Sequence, residues 1–231
     1  MALTLSHRLE ACCAFVHPGD RVADVGCDHG YLGIYLLQQG LARSVIAADV
    51  RQGPLESARR NGEKYGLSDK MTFCLSDGVA DVPRDFDTLV CAGMGADTMI
   101  SILGAAPWLK DSRYRLILQC QSKRPVLRQW LYEQGYALRQ EILAKDGKFV
   151  YSIMEVVYAP DGTYAPWECY ISRPMLENRS PLLAEYAARV CQGLRQSQKH
   201  PEILEELERL ELTCYEIRNV DSKSNVGGGV H

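Results

Sequence analysis

Asp24-Val25-Gly26-Cys27-Asp28-His29-Gly30 is the first segment of the chain whose residue types could do chemistry. A glycine at 26 lets the backbone approach a ligand closely, and a helix beginning just after it offers N–H groups without partners. Asp24 and Asp28 flank that turn. Two adjacent carboxylates repel a pyrophosphate and favour a cationic or neutral ligand end. Gly26, Gly30 and Gly33 also miss the GxGxxG spacing of a dinucleotide site. The sulfonium and amino-acid moiety of S-adenosylmethionine meet this charge pattern, which points toward methyl transfer. Cys27 lies beside the same ligand and reads as a small apolar packing residue, because no basic neighbour would lower its thiol pKa.

Three later segments carry matching groups. Asp49, followed by Val50, is placed where an acid at a strand end accepts both ribose hydroxyls. Asp77-Gly78 offers a carboxylate to the exocyclic amine of an adenine, and Gly93-Met94-Gly95 lets the chain pass close to a flat ring. Any one of these acids would serve equally as a helix cap or a solvated loop residue. Their joint position at successive strand ends is what makes an elongated nucleoside the expected ligand. His29 has a bland alternative as a capping or packing group, and no third ligand at useful spacing makes Asp28 and His29 a metal site.

Such groups converge only if the elements between them alternate. Strands are expected over Arg21 to Cys27, Ser44 to Val50, Met71 to Leu75, Asp87 to Cys91 and Arg115 to Cys120. Helices are expected over 3–16, Tyr31 to Gln39, Pro54 to Tyr65, Asp97 to Leu103 and Arg124 to Gln134. Right-handed crossovers turn this order into an α/β fold, a mainly parallel sheet covered by helices on both faces, with its crevice beyond the carboxyl ends of the strands. Tyr136 to Leu143 and Phe149 to Tyr158 flank an Asp146-Gly147 turn and predict an antiparallel hairpin at the sheet edge. Ala159 to Thr163 and Ala165-Pro166 read as a linker, dividing a catalytic domain over 1–160 from a smaller helical domain over 161–231. In that tail, Leu182, Leu183, Tyr186, Val190 and Leu194 mark one helix. Ile203, Leu204, Leu207, Leu210 and Leu212 to Ile217 mark a second, and Gly227 to His231 should fray. An intramolecular helical hairpin is the preferred reading, which leaves a monomer as the expectation.

The composition bounds the partners. The 231 residues are 46% hydrophobic and 24% charged, with no apolar run long enough to span a bilayer. The formal net charge of -3 means that a polyanion must be met by a local basic patch. The tail carries the imbalance, with eight basic and eleven acidic residues against eighteen of each before it. Nine cysteines include no CxxC pair, and with no secretory signal pattern the reducing cytoplasm is the expected compartment.

Asp24 to Leu32, the opening Leu5-Ser6-His7-Arg8-Leu9, Gly53-Pro54-Leu55 and Ala92-Gly93-Met94-Gly95 resemble the bacterial tRNA adenine-N1 methyltransferases acting on nucleotide 22. The resemblance runs on through Arg115 to Gln119, Arg128 to Leu131 and Gly135-Tyr136, and covers most of residues 3–220. It implies a class I Rossmann-like domain that uses S-adenosylmethionine, followed by a coiled-coil-like domain engaged with tRNA. Under it Asp28 is the candidate catalytic residue and His29 lines the cofactor or target-base pocket. Asp49 holds the ribose, Asp77 sits beside the cofactor adenine, and Gly93-Met94-Gly95 flanks the transferring methyl. The chain departs from the family pattern at Ala96, where a second glycine is common, and at Gln119-Cys120-Gln121, where Gln-Pro-Asn is common. Gln121 or Ser122 could supply the lost amide contacts.

Adenine N1 carries an in-ring lone pair and needs alignment more than activation. Methylation leaves the ring cationic, a charge that Asp28 could stabilise or relieve by taking a proton from the exocyclic nitrogen. Tyr31 and Met94 are the stacking candidates near the loop, and Lys123 and Arg124 are the preferred RNA contacts within a basic cluster over 110–128. Arg51, Arg59, Arg60 and Lys64 form a second basic group. Methylation of another RNA position, of a protein or of a small molecule, and a non-catalytic RNA-binding module, remain the alternative readings.

Overall fold

Strands buried along almost their whole length need cover on both faces. β1 (Asp20–Val25) and β2 (Ala42–Asp49) are of this kind, with all but one or two residues of each buried. The computed structural model describes residues 3–210. It places these strands with β3 (Met71–Leu75), β4 (Thr88–Met94) and β5 (Arg115–Cys120) in parallel register. The hairpin β6 (Tyr136–Asp146) and β7 (Phe149–Tyr158) closes the sheet, with β7 antiparallel to β5. Strand order is β3-β2-β1-β4-β5-β7-β6. The expected α/β architecture is therefore present, antiparallel edge included.

Side chains alternate between two layers, as the two-residue period of a strand requires. On one face Val22, Val45, Val90, Ile117 and Ile153 pack under α1 (His7–Cys13), α2 (Tyr31–Gln38) and α3 (Gln52–Lys64). On the other, Ala23, Ile46, Leu116, Leu118 and Val156 pack under α4 (Ala96–Gly104) and α5 (Arg124–Glu133). Burying a Leu or Ile side chain contributes about 1.5–3 kcal/mol, so these layers supply the main driving force for the fold.

The tail folds back onto this frame. A short 3-10 turn (Pro166–Cys169), α6 (Arg173–Asn178), α7 (Leu183–Ser197) and α8 (201–210) build a third cluster on Val150 of β7. Arg195 of α7 pairs with Glu208 of α8 at 2.6 Å, so the two helices face each other as the sequence suggests. The join to the sheet is polar. Arg128 of α5 is fully buried and pairs with Glu141 at 2.5 Å, while its guanidinium also donates to the carbonyls of Cys169 and Tyr170 and to the Tyr186 hydroxyl. Ser172 donates to the other Glu141 oxygen.

Several bounds differ from expectation. α1 is seven residues rather than fourteen, ending before the turn around Pro18. β4 runs on through Met94, because Gly93 donates to the Gln119 side chain and the Met94 carbonyl accepts from Gln121, with a register shift between Ala92 and Met94. β6 continues to Asp146, because pairing with β7 persists down to the turn. α6 is an additional element, announced by Ser172 as N-cap and Pro174 in the first turn but too short to show periodicity. The expectations for Leu212 to Ile217 and Gly227 to His231 fall outside the described residues. Among the described residues no helix is long and apolar enough to cross a membrane.

Candidate active site

The loops after β1, β2, β3 and β4 meet at one cleft of about 500 Å³, within the range of pockets for small ligands. Its lining includes Asp24, Gly26, Cys27, Asp28, His29, Tyr31, Asp49, Val50, Asp77, Gly78, Gly93, Met94 and Gln121, all singled out from sequence. Gly95, Lys123 and Arg124 stand outside that lining. Gly95 is the N-cap of α4, packed so that a Cβ there would lie 2.9 Å from the Ser122 hydroxyl.

Gly26 is required by both geometry and space. Its φ is +74°, and a Cβ on it would sit 2.2 Å from the Met94 methyl, so no side chain can stand there without moving Met94. Gly26 and Cys27 donate their N–H groups to the Ala48 carbonyl at 2.8 and 3.0 Å, tying this turn to β2. Asp28 follows with a φ of 51°, a left-handed conformation that aspartate tolerates better than most residues. Its N–H donates to Asp49 at 3.2 Å, and the Arg51 N–H donates to the other Asp49 oxygen at 2.9 Å. Asp49 thus holds two loops in place while retaining lone pairs that face the cleft.

The floor and the rim differ in polarity and exposure. Asp24 is 4% exposed, and its Oδ2 has no hydrogen-bond partner. Burial, reinforced by the charge of Asp49, pushes its carboxyl up to about 7. The thiols of Cys12 and Cys91 are raised to about 12, chiefly by burial, and that of Cys27 is raised too. These groups pack as neutral thiols and offer no nucleophile. At the rim, the side chains of Asp28 and His29 are 62% and 50% exposed and 3.7 Å apart, with the His29 ring 5.8 Å from Tyr31. A buried acid below and an open acid–imidazole pair above suit a cationic ligand end within and an incoming base outside.

Sequence reasoning missed part of the wall. Thr98, Ser101 and Ile102 of α4 line the cleft, as do Arg8 and Leu9 of α1 and Ser76. Gly78 needs its missing side chain because a Cβ would meet Ile102 at 2.9 Å; that contact was not readable from either residue alone. Arg8 reaches the fully buried Gln119 side chain at 2.6 Å, and the same Gln119 oxygen accepts from Gly93 at 3.1 Å. Arg8 lay inside the opening segment of the resemblance, which was the available signal.

The basic cluster over 110–128 does not form one patch. Lys110, Arg113 and Arg115 sit at the amino end of β5, opposite the cleft; Arg115 pairs there with Asp20 at 2.8 Å and Glu155 at 3.1 Å. Arg128 is buried beneath the tail. The cause is direction: a strand of six residues separates its two ends, and of Lys123, Arg124 and Arg128, which follow its carboxyl end, the last is buried. Lys123 pairs with Asp97 at 2.7 Å in solvent, while Arg124 lies 5.2 Å from the Tyr186 ring centre and donates to the Val150 carbonyl.

The donor set fits S-adenosylmethionine. An unpartnered buried carboxylate faces a cleft whose tightest turn is closed by a thioether methyl, and acids stand where ribose and adenine would be recognised. Comparison with known proteins points the same way. The chain is 36% identical over 148 residues to the tRNA (adenine(22)-N(1))-methyltransferase of Bacillus subtilis, an alignment covering 63% of this chain and 62% of that protein. It spans about six tenths of the length of the curated relatives it matches. The crystal structure of the B. subtilis M1A22 tRNA methyltransferase TrmK superposes with a TM-score of 0.76 at 26% identity, covering 93% of this chain and 99% of that one. Streptococcus pneumoniae Sp1610 in complex with S-adenosyl-L-methionine gives 0.79 at 27% identity, covering 91% and 99%. The family model described as a methyltransferase domain matches residues 5–154, well over half the chain, and the protein belongs to that methyltransferase-domain family.

Proposed function

We propose that this chain methylates N1 of an adenine in tRNA, at nucleotide 22, with S-adenosylmethionine as the methyl donor. The observation that carries the reading is the vertical order of the cleft, in which a buried acid floor lies under an exposed Asp28–His29–Tyr31 rim. The name of the B. subtilis relative supports the choice of substrate and position. When bound, S-adenosylmethionine supplies an electrophilic methyl carbon.

The residues divide the remaining work. Asp24 and Asp49 hold the cationic and ribose portions, and Ser76, Asp77 and Gly78 receive the adenine end. Val50 and Cys27 exclude water along the side, and Met94 with Gly93 closes the turn nearest the reacting centre. Asp28 stabilises the charge that develops on the methylated ring and accepts the exocyclic proton, while His29 orients that carboxylate. Tyr31 and Gln121 position the base, which must be unpaired or drawn from its stack to present N1. Lys123 contacts phosphate, and the helical tail beyond residue 160 engages the tRNA body. The cytoplasm is the compartment this substrate implies.

The test is nucleotide-resolution mapping after reaction with unmodified tRNA, because methylated N1 blocks Watson–Crick pairing and halts reverse transcription. A stop at adenine 22 that disappears when the base is changed to guanine is expected. Label in protein or in a small molecule instead would replace the reading. Single-turnover methylation by Asp28→Ala, at saturating cofactor, should fall by two orders of magnitude or more; an undiminished rate removes Asp28 from the chemistry.

A further inference from the structure

Aromatic residues are scarce, at 8% of the chain, yet Phe149 and Tyr151 share one face at the start of β7. Because β7 runs antiparallel to β5, its first residues lie at the carboxyl edge of the parallel strands, the edge that bears the cleft. Alternation fixes the face. Ile153 packs with Cys12 and Cys13 of α1, so Tyr151 and Phe149, two and four residues earlier, point to the α1 side. Phe149 is 51% exposed, an unusual state for a ring on a strand, and its centroid is 6.2 Å from that of Tyr151.

Cations bracket the pair. Lys148 lies 5.4 Å from the Phe149 ring centre, and the Arg8 guanidinium lies 5.9 Å from the Tyr151 ring centre. Arg8 also lines the cleft and is anchored to Gln119. The result is a continuous row, Lys148–Phe149–Tyr151–Arg8, from solvent to the cleft. The hairpin behind it is braced: Lys145 pairs with Glu185 at 2.8 Å, Arg189 donates to the Lys148 carbonyl at 2.8 Å, and His7 of α1 contacts the Lys145 carbonyl at 3.1 Å. An exposed ring beside a half-buried one, held by a rigid backing and flanked by positive charge, suits a flat anionic polymer. Protein interfaces also use aromatics, but they deplete lysine at their centre.

We infer that Phe149 and Tyr151 form a stacking platform for an unpaired nucleotide of the RNA substrate next to the base being methylated, with Lys148 and Arg8 meeting its phosphates. The inference rests on the tRNA reading above and adds to it a surface outside the cofactor cleft. By holding a neighbouring base, this row would keep the target strand unstacked at the cleft mouth.

The probe is an RNA stem-loop carrying 2-aminopurine at one unpaired position, titrated into the full chain, with fluorescence quenching as readout. Quenching is expected with the wild-type chain and with Phe149→Trp. Phe149→Leu keeps apolar bulk without a ring and should lose most of the quenching and bind about tenfold more weakly, which is about 1.4 kcal/mol. Tyr151→Leu should act the same way and Tyr151→Phe should not. Cofactor affinity by calorimetry and thermal melting should stay unchanged in Phe149→Leu. Equal quenching and affinity in Phe149→Leu would overturn the inference, and so would a dimer in RNA-free sedimentation that this variant dissolves, since the rings would then serve a second copy. A wild-type chain that quenches in a Phe149-dependent way but methylates no adenine would uphold the platform and sink only the methylation reading.

Discussion

Asp24 and Arg128 are both shut away from solvent, and their surroundings are opposite. The two terminal nitrogens of Arg128 reach Glu141, Ser152, Tyr186 and the carbonyls of Cys169 and Tyr170, leaving only Nε without a partner. Asp24 has neighbouring thiols, a like charge at Asp49 and an oxygen with no partner. A buried charge whose terminal groups are met holds structure together, whereas one left unmet destabilises the free protein. The well-partnered group joins the tail to the sheet and the unpartnered one faces the cleft, so the difference separates fastening from binding.

The sharpest way to break this contrast is at the fastening. Arg128→Met leaves Glu141 buried without its counter-charge and should lower the unfolding free energy by about 3–5 kcal/mol, measured by urea titration. A loss below about 1 kcal/mol would mean that the tail does not depend on the pair. At the cleft the expected effect is smaller and has the opposite sign in the free protein. Asp24→Asn should leave stability unchanged or raise it, while weakening S-adenosylmethionine about tenfold, near 1.4 kcal/mol by calorimetry. Lost stability with intact cofactor affinity would reverse the assignment.

A pH series sharpens the same point. Asp24 keeps its proton in the folded state up to about 7, above its ordinary value of 3.8. The folded protein therefore binds more protons than the unfolded chain between those values, and the Asp24 contribution to stability falls as pH rises through that window. Cofactor affinity should move the other way, rising as pH climbs toward 7 and levelling above it, because the ionised acid is the form that attracts a cation. Asp24→Asn should flatten both profiles. The smallest effect belongs to the solvated pair of Lys123 and Asp97. Lys123→Glu should shift stability by less than about 1 kcal/mol and reduce the salt slope of tRNA binding by about one contact.

The sheet was legible because each parallel strand holds a short, mainly apolar run, and the cleft followed because ligands collect at the carboxyl ends of such strands. Asp24, Asp49 and Asp77 needed only that rule. Arg8, Thr98 and Ile102 did not yield to it, because their place depends on how α1 and α4 rotate against the sheet, which side-chain packing decides. Arg128 was misjudged for a related reason. Arginine is seldom fully buried, and its acceptors come from Glu141, Cys169, Tyr170 and Tyr186, too scattered along the chain for spacing to reveal them. Phe149 was read only as a strand residue; its exposure is set by where α1 stops covering the hairpin.

Every residue lining the cleft lies between Arg8 and Gln121, so all of the cleft-forming chain is synthesised before any partner of Arg128 has been made. A nascent chain halted near residue 160 would already contain Arg128 and Glu141 but would lack Cys169, Tyr170, Ser172 and Tyr186. During synthesis the cleft precedes its own scaffold, and the growing polypeptide must carry an unfinished ionic joint until the later helices arrive to seal it.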